Sequence, residues 1–102
     1  NVTATATGGT ESYGVYNNSS SPTMNNVTAT ATDGTNNYGV YNSSSSSPSI
    51  RNSSITGDDD SIYNTGSTAL VADTMLDGPV NAGLTCVGAY DETFSALDAS
   101  CS

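Results

Sequence analysis

Residues 1–17 read NVTATATGGTESYGVYN, and residues 26–42 read NVTATATDGTNNYGVYN. The two stretches are nearly identical and stand 25 residues apart. A fixed period of this length marks a repeat architecture, in which each unit buries its apolar side only against its neighbours. Within each unit Val-Thr-Ala-Thr-Ala-Thr alternates strictly, the period of a half-buried strand. Val2, Ala4 and Ala6 are expected to face in, and Thr3, Thr5 and Thr7 to face out. Gly8-Gly9 and Asp33-Gly34 follow as turn signals. Tyr13-Gly14-Val15-Tyr16 makes a second short strand, and Pro22-Thr23-Met24 and Pro48-Ser49-Ile50 each open a third. Three short strands in about 25 residues form one turn of a three-sided coil. No segment holds a sustained helical apolar period, so helices are not expected.

The pattern weakens along the chain. A third unit starts at Asn52, with Ser54-Ile55-Thr56-Gly57 in place of the Thr-Ala-Thr strand and Ser61-Ile62-Tyr63-Asn64 in place of Tyr-Gly-Val-Tyr-Asn. A fourth is fainter, Asp73-Thr74-Met75-Leu76-Asp77-Gly78 echoing residues 52–57. The expected fold is therefore all-β: a three-sided parallel β-helix of about four rungs (1–25, 26–51, 52–72 and 73–78 onward). Residues 79–102 would supply the last rung and a C-terminal cap. Stacking at about 4.8 Å puts like residues above one another. The expected core ladder is Val2 on Val27, Val15 on Val40 and Ile62, and Met24 on Ile50 and Val71. Asn17, Asn42 and Asn64 recur at one place, which suggests a buried corner ladder; the alternative is that they are ordinary turn residues.

Composition agrees with a thin core. Apolar residues make up 34% of the 102 residues, below the roughly 45–50% of a typical globular domain. Net charge is −9, yet charged residues are only 11% of the chain, less than a disordered solvating tail carries. Arg51 is the only basic residue. Nucleic-acid binding and attachment to anionic membrane both need clustered Lys and Arg, so both are excluded. No apolar run approaches the 18 or so residues of a spanning helix, so membrane insertion is not expected. The chain lacks a starting Met and a signal-peptide pattern, the look of a mature product or a fragment. Cys86 and Cys101, with no His and no CxxC spacing, read as a disulfide and imply an oxidising compartment. Six sequons, at Asn1, Asn17, Asn18, Asn26, Asn42 and Asn52, carry little weight in so Asn- and Ser-rich a chain.

Tyr-Gly-Val-Tyr-Asn, a Ser run, Ser-Pro-(Ser/Thr)-(Met/Ile) and then Asn-x-x-x-Thr together resemble the right-handed parallel β-helix repeats of pectate-lyase-like bacterial surface proteins. Residues 84–91, LTCVGAYD, look like the closing segment of such proteins. The resemblance spans essentially the whole chain and implies the fold and its right-handedness; it specifies function poorly, since β-helices host many activities. Lyases of the family use a basic proton abstractor and Asp-bound Ca²⁺. This chain has no His and no Lys, and Arg51 lies on the Pro-Ser-Ile strand without an acidic constellation in register. It reads as a surface residue, pairing at most with an Asp. No enzyme activity and no cofactor are expected.

Four features remain as candidate sites. Asp58, Asp59 and Asp60 follow Gly57 as a solvated turn, with a weak Ca²⁺ site as the alternative. Thr3, Thr5 and Thr7 over Thr28, Thr30 and Thr32 form an outward array resembling the Thr-x-Thr rows of β-helical antifreeze proteins, an ice-binding alternative confined to two full rungs. Tyr13, Tyr16, Tyr38, Tyr41 and Tyr63 form two columns, with Tyr13 and Tyr38 candidate contacts for carbohydrate. A Cys86–Cys101 bridge closes a loop of about fifteen residues, and Phe94 and Leu97, three apart, suggest a helical turn laid over the last rung. The N-terminal end has no such cap. The expectation is an extracellular or cell-surface structural protein, stacking head to tail with itself or continuing from upstream rungs of a longer chain; the alternative is an adhesin or carbohydrate-binding module.

Overall fold

The computed structural model describes residues 1–102 and is all-β, without a helix. The first rung comprises β1 (Val2–Thr7), β2 (Glu11–Asn18) and β3 (Thr23–Asn25); the second β4 (Val27–Thr32), β5 (Asn36–Ser43) and β6 (Ser49–Arg51); the third β7 (Ser54–Gly57), β8 (Asp60–Thr65) and β9 (Ala69–Ala72). β10 (Met75–Asp77), β11 (Leu84–Val87) and β12 (Tyr90–Asp91) complete the order. Three parallel sheets result: β1-β4-β7-β10-β12, β2-β5-β8 and β3-β6-β9-β11. The solenoid thus makes three full turns and a thinner fourth, whose middle side is reduced to a bridge between Ile62 and Val80.

Register follows the sequence ladders. Val2 pairs with Val27, Val15 with Val40, Val40 with Ile62, Met24 with Ile50 and Ile50 with Val71. Cys86 continues that last column, pairing with Val71. Burial departs from the expected ladder at one end. Val2 is 57% exposed while Val27 beneath it is 8% exposed, and Val15 is only half-buried. β1, β2 and β3 are terminal strands, so no rung covers these side chains.

Corners are made by residues that tolerate positive φ. Asn26, Asn52 and Asp73 stand at the same corner with φ of 58°, 48° and 48°, and Gly88 follows with 70°. Short polar side chains and glycine are the residue types that occupy the left-handed region at least cost. The residue after each of the second and third corners supplies a buried hydroxyl. Ser53 Oγ accepts from Val27 N at 3.1 Å and donates to Arg51 O at 2.6 Å. Thr74 Oγ1 accepts from Ser53 N at 3.4 Å and donates to Ala72 O at 2.8 Å. The composition that thins the apolar core therefore builds hydrogen-bonded corners instead, and no buried side-chain polar atom lacks a partner.

The C-terminal end is sealed on all three sides. Cys86 N donates to Ala99 O at 2.9 Å, the amide of Asn81 pairs with both Asn64 N (2.8 Å) and Asn64 O (2.6 Å), and β12 covers β10. A Cys86–Cys101 disulfide fastens the cap, with Cα atoms 5.3 Å apart. The expected helical turn at Phe94 and Leu97 is not there. Asp91 Oδ1 accepts from Thr93 N (2.8 Å) and Ser95 N (3.0 Å), folding the chain back so that Tyr90 and Ala96 form an antiparallel bridge. Leu97 packs against the core, but Phe94 is 82% exposed. Reducing the bridge releases a loop of 15 residues, worth about 3 kcal/mol in the chain-entropy picture. We expect reductant to lower the urea midpoint accordingly and to raise amide exchange first in β11 and β12. An unchanged midpoint on reduction would refute this.

Candidate functional site

Two features stand out from the rungs: a tyrosine surface on the β2-β5-β8 sheet and a polar amide chain behind it. Both depend on a local break in alternation. Along β5, Asn37 is buried, Tyr38 half-buried, Gly39 and Val40 both buried, Tyr41 half-buried and Asn42 buried. Two consecutive inward residues shift the phase, the signature of a bulge. Tyr38 and Tyr41, three apart, therefore share the outer face, and Tyr13 and Tyr16 do so above them.

The five rings make one continuous surface. Tyr13 stacks on Tyr38 (centroids 5.6 Å) and Tyr38 on Tyr63 (4.5 Å), while Tyr16 stacks on Tyr41 (5.1 Å). The two expected columns are thus joined. Tyr63 pairs with Tyr41 through the backbone, yet its ring lies parallel to Tyr38 at 9° and tilted to Tyr41 at 50°. Asp60, which pairs with Tyr38 in the ladder, leaves the room into which Tyr63 leans. Tyr38 has a ring on each side, whereas Tyr13 and Tyr16 each have one stacked partner.

Burial, above all, pushes the Tyr13 hydroxyl well above the usual tyrosine range; a hydrogen bond to Glu11 and that carboxylate's charge add to it. Burial also raises Tyr38, with Tyr63, Asp60 and Asp59 contributing. Both folded values lie above the roughly 10 of an unfolded tyrosine. Stability is thus fully present below about pH 10 and is lost above it, because the unfolded chain gives up these protons first. We expect the urea midpoint to fall between pH 9 and pH 11, and Tyr38→Phe to shrink the fall. Equal midpoints at both pH values would refute the assignment.

The acidic segment is not a single solvated turn. Asp58 and Asp59 occupy the bend, but Asp60 begins β8 and is half-buried; burial and the neighbouring Asp59 raise its pKa. Asp58 Oδ2 accepts from Asp33 N at 3.1 Å. Asp59 Oδ2 accepts from Asn37 N at 2.8 Å and from Asn37 Nδ2 at 3.0 Å. The carboxylates tie the turn of one rung to that of the next, and they do not converge on a point where an ion would sit. Arg51 is exposed and meets Ser49 Oγ (3.5 Å) rather than an Asp.

On the β1-β4 face Thr3, Thr5 and Thr7 lie in register over Thr28, Thr30 and Thr32. Below them the rows continue as Ser54 and Thr56, then as Met75 and Asp77. Behind the tyrosines runs the amide chain. Asn17 Nδ2 donates to Asn42 Oδ1 at 2.8 Å, Asn42 Nδ2 to Asn64 Oδ1 at 2.8 Å, and Asn64 Nδ2 to Ala82 O at 2.7 Å. Every amide points the same way along the axis. Sequence reasoning missed Ser46, which is fully buried and donates to Ser43 O (2.7 Å) and Asn17 O (3.2 Å); nothing in a run of five serines singles one out. It also missed the capping role of Asn81, whose signal is the absence of a strand pattern at residues 79–83.

No protein-family model, curated protein sequence or solved structure matches this chain, and its likeness to pectate-lyase-like β-helices rests on the rung pattern and the stacked parallel sheets.

Proposed function

We propose that this chain is a non-catalytic, extracellular structural protein: a rigid solenoid segment that ends a rod. One observation carries the reading, the contrast between its two ends. The C-terminal end is sealed by the Asn81 amide, the Ala99 carbonyl, β12 and a disulfide, whereas the first rung leaves three strand edges and Val2 uncovered. Stacking of whole copies head to tail would have to displace the seal, so the geometry favours an end piece over a self-built filament. The disulfide is compatible with a secreted protein, and no helix is long and apolar enough to cross a membrane. Incubation with pectate and Ca²⁺ tests the non-catalytic part: no unsaturated product is expected, and any turnover by the pure chain overturns it.

A second reading, carbohydrate binding at the tyrosine surface, is favoured by the joining of five rings beside Glu11 and Asp60. It predicts a change in tyrosine fluorescence on titration with soluble oligosaccharides that Tyr16→Ala removes. No change across neutral and acidic oligosaccharides would eliminate it.

A further inference from the structure

The first two rungs are nearly the same sequence, so the outward surface of the first is chemically the surface that the second turns toward it. The occupant of that second surface is known from the structure: it is a parallel rung. Four details repeat at the open end. Tyr38 is sandwiched between Tyr13 and Tyr63, while Tyr13 and Tyr16 lack an upper ring. Ala29 and Ala31 are fully buried beneath β1, while Ala4 and Ala6 above them are half-buried. Val2 stands open where Val27 is covered. Finally, the amide chain is directional. Asn17 donates to Asn42 and to Met24 Sδ, and no donor of the chain reaches its own Oδ1.

We propose that the open face of the first rung is a binding site for one further parallel rung. Its occupant is an extended segment of about 25 residues from a repeat polypeptide of the Val-Thr-Ala-Thr-Ala-Thr…Tyr-Gly-Val-Tyr-Asn pattern. The free Asn17 Oδ1 selects it, because the incoming rung must bring an amide N–H to that corner. A second copy of this chain does not fit. Presented face to face, it sets Asn17 Oδ1 against another Asn17 Oδ1, two acceptors. Presented by its other end, it offers the Asn81 and Ala82 corner, where the amide chain already terminates on a carbonyl. Strand addition of this kind draws affinity from main-chain hydrogen bonds and specificity from the alternate side chains. The proposal rests on the structural reading above and names the partner of its open end.

The test is the full chain preceded by a second copy of residues 1–25, which removes the entropy of association. The β1 amides are expected to exchange about a hundredfold more slowly than in the unmodified chain. Asn17→Leu within the added copy is expected to reverse at least tenfold of that protection, while an added copy of scrambled order gives none. An added rung that stays protease-sensitive while the original rungs remain folded overturns the proposal and leaves the structural reading standing. Light scattering on the unmodified chain supplies the other arm. A monomer is expected; a dimer or fibre abolished by Val2→Glu would make a second copy the occupant and overturn the choice of partner. Pectate turnover, by contrast, overturns the structural reading itself.

Discussion

Asn42→Leu is expected to destabilise the fold by about 4 kcal/mol, the larger of the two mutational effects argued here. Asn42 is fully buried and is the only residue of the amide chain with a side-chain partner on both sides, 2.8 Å from each. Leucine has nearly the same volume, so no cavity forms and packing is not the issue. The cost lies in the two groups left behind. Asn17 Nδ2 retains only a weak contact to Met24 Sδ at 3.9 Å, and Asn64 Oδ1 loses its donor. A buried polar group stripped of its partner costs about 1–3 kcal/mol, and the low dielectric of a sealed interior keeps water from repairing it. Urea unfolding of Asn42→Leu beside Asn18→Leu, an exposed neighbour on the same strand, isolates the effect. Equal midpoints would show that the chain of amides does not hold the rungs. Asn42→Asp adds a pH signature. Its carboxylate turns a second acceptor toward Asn64 Oδ1, and burial raises its pKa. That variant is therefore weakest at neutral pH and recovers as acid restores a donor, the reverse of ordinary acid denaturation.

The ladders were legible because a solenoid repeats its constraints. A residue that must stack on its own kind appears at a fixed interval, and Val2, Val15, Met24 and Asn17 could each be traced to the next rung by spacing alone. The fourth rung was legible for the same reason. Leu76 echoes Ile55 and pairs with it, with Met75 and Asp77 in step on Ser54 and Thr56. Legibility failed where the controlling interaction is not periodic. The cap turns on an Asp91 carboxylate that gathers two amides, and a Phe94-to-Leu97 spacing says nothing of that. The fate of Tyr63 depended on which neighbour left room, a property of Asp60 rather than of any tyrosine. Exposure of Val2 is a boundary effect: its identity says core, and only the absence of a covering strand says otherwise. The tyrosine surface was read as columns, but its continuity follows from a bulge that strict alternation conceals.

That bulge sets the second expectation: Gly39→Ala should cost about 3 kcal/mol, although the change adds one methyl at a residue without positive φ. Gly39 stands between Tyr38 and Val40 at the position where two successive residues point inward, and it lies over Ser61. A methyl there would sit 2.6 Å from Ile55 Cγ2, 2.7 Å from Ser61 O and 2.8 Å from Thr56 O. Rotation can move the first of these. The other two are backbone of β8 and β7, fixed by the ladders that join the second rung to the third. Relief therefore requires β5 to lift from β8, and overpacking against backbone belongs at the upper end of its usual range of about 1–3 kcal/mol. For a chain of this size that corresponds to a melting temperature lower by roughly 15 °C. Gly66→Ala is the informative comparison. Its φ is +59° but nothing lies within 4 Å, so only the backbone term of about 1 kcal/mol applies. Gly14→Ala falls between the two: its methyl would meet Gly39 O at 2.7 Å, yet the first rung has no neighbour above and can rise. Thermal unfolding of the three variants should rank Gly39→Ala below Gly14→Ala below Gly66→Ala. A Gly39→Ala protein as stable as Gly66→Ala would mean that the rungs can separate locally at little cost. The rings of Tyr38, Tyr41 and Tyr63, which ride on the same strands, would then not be held as one surface.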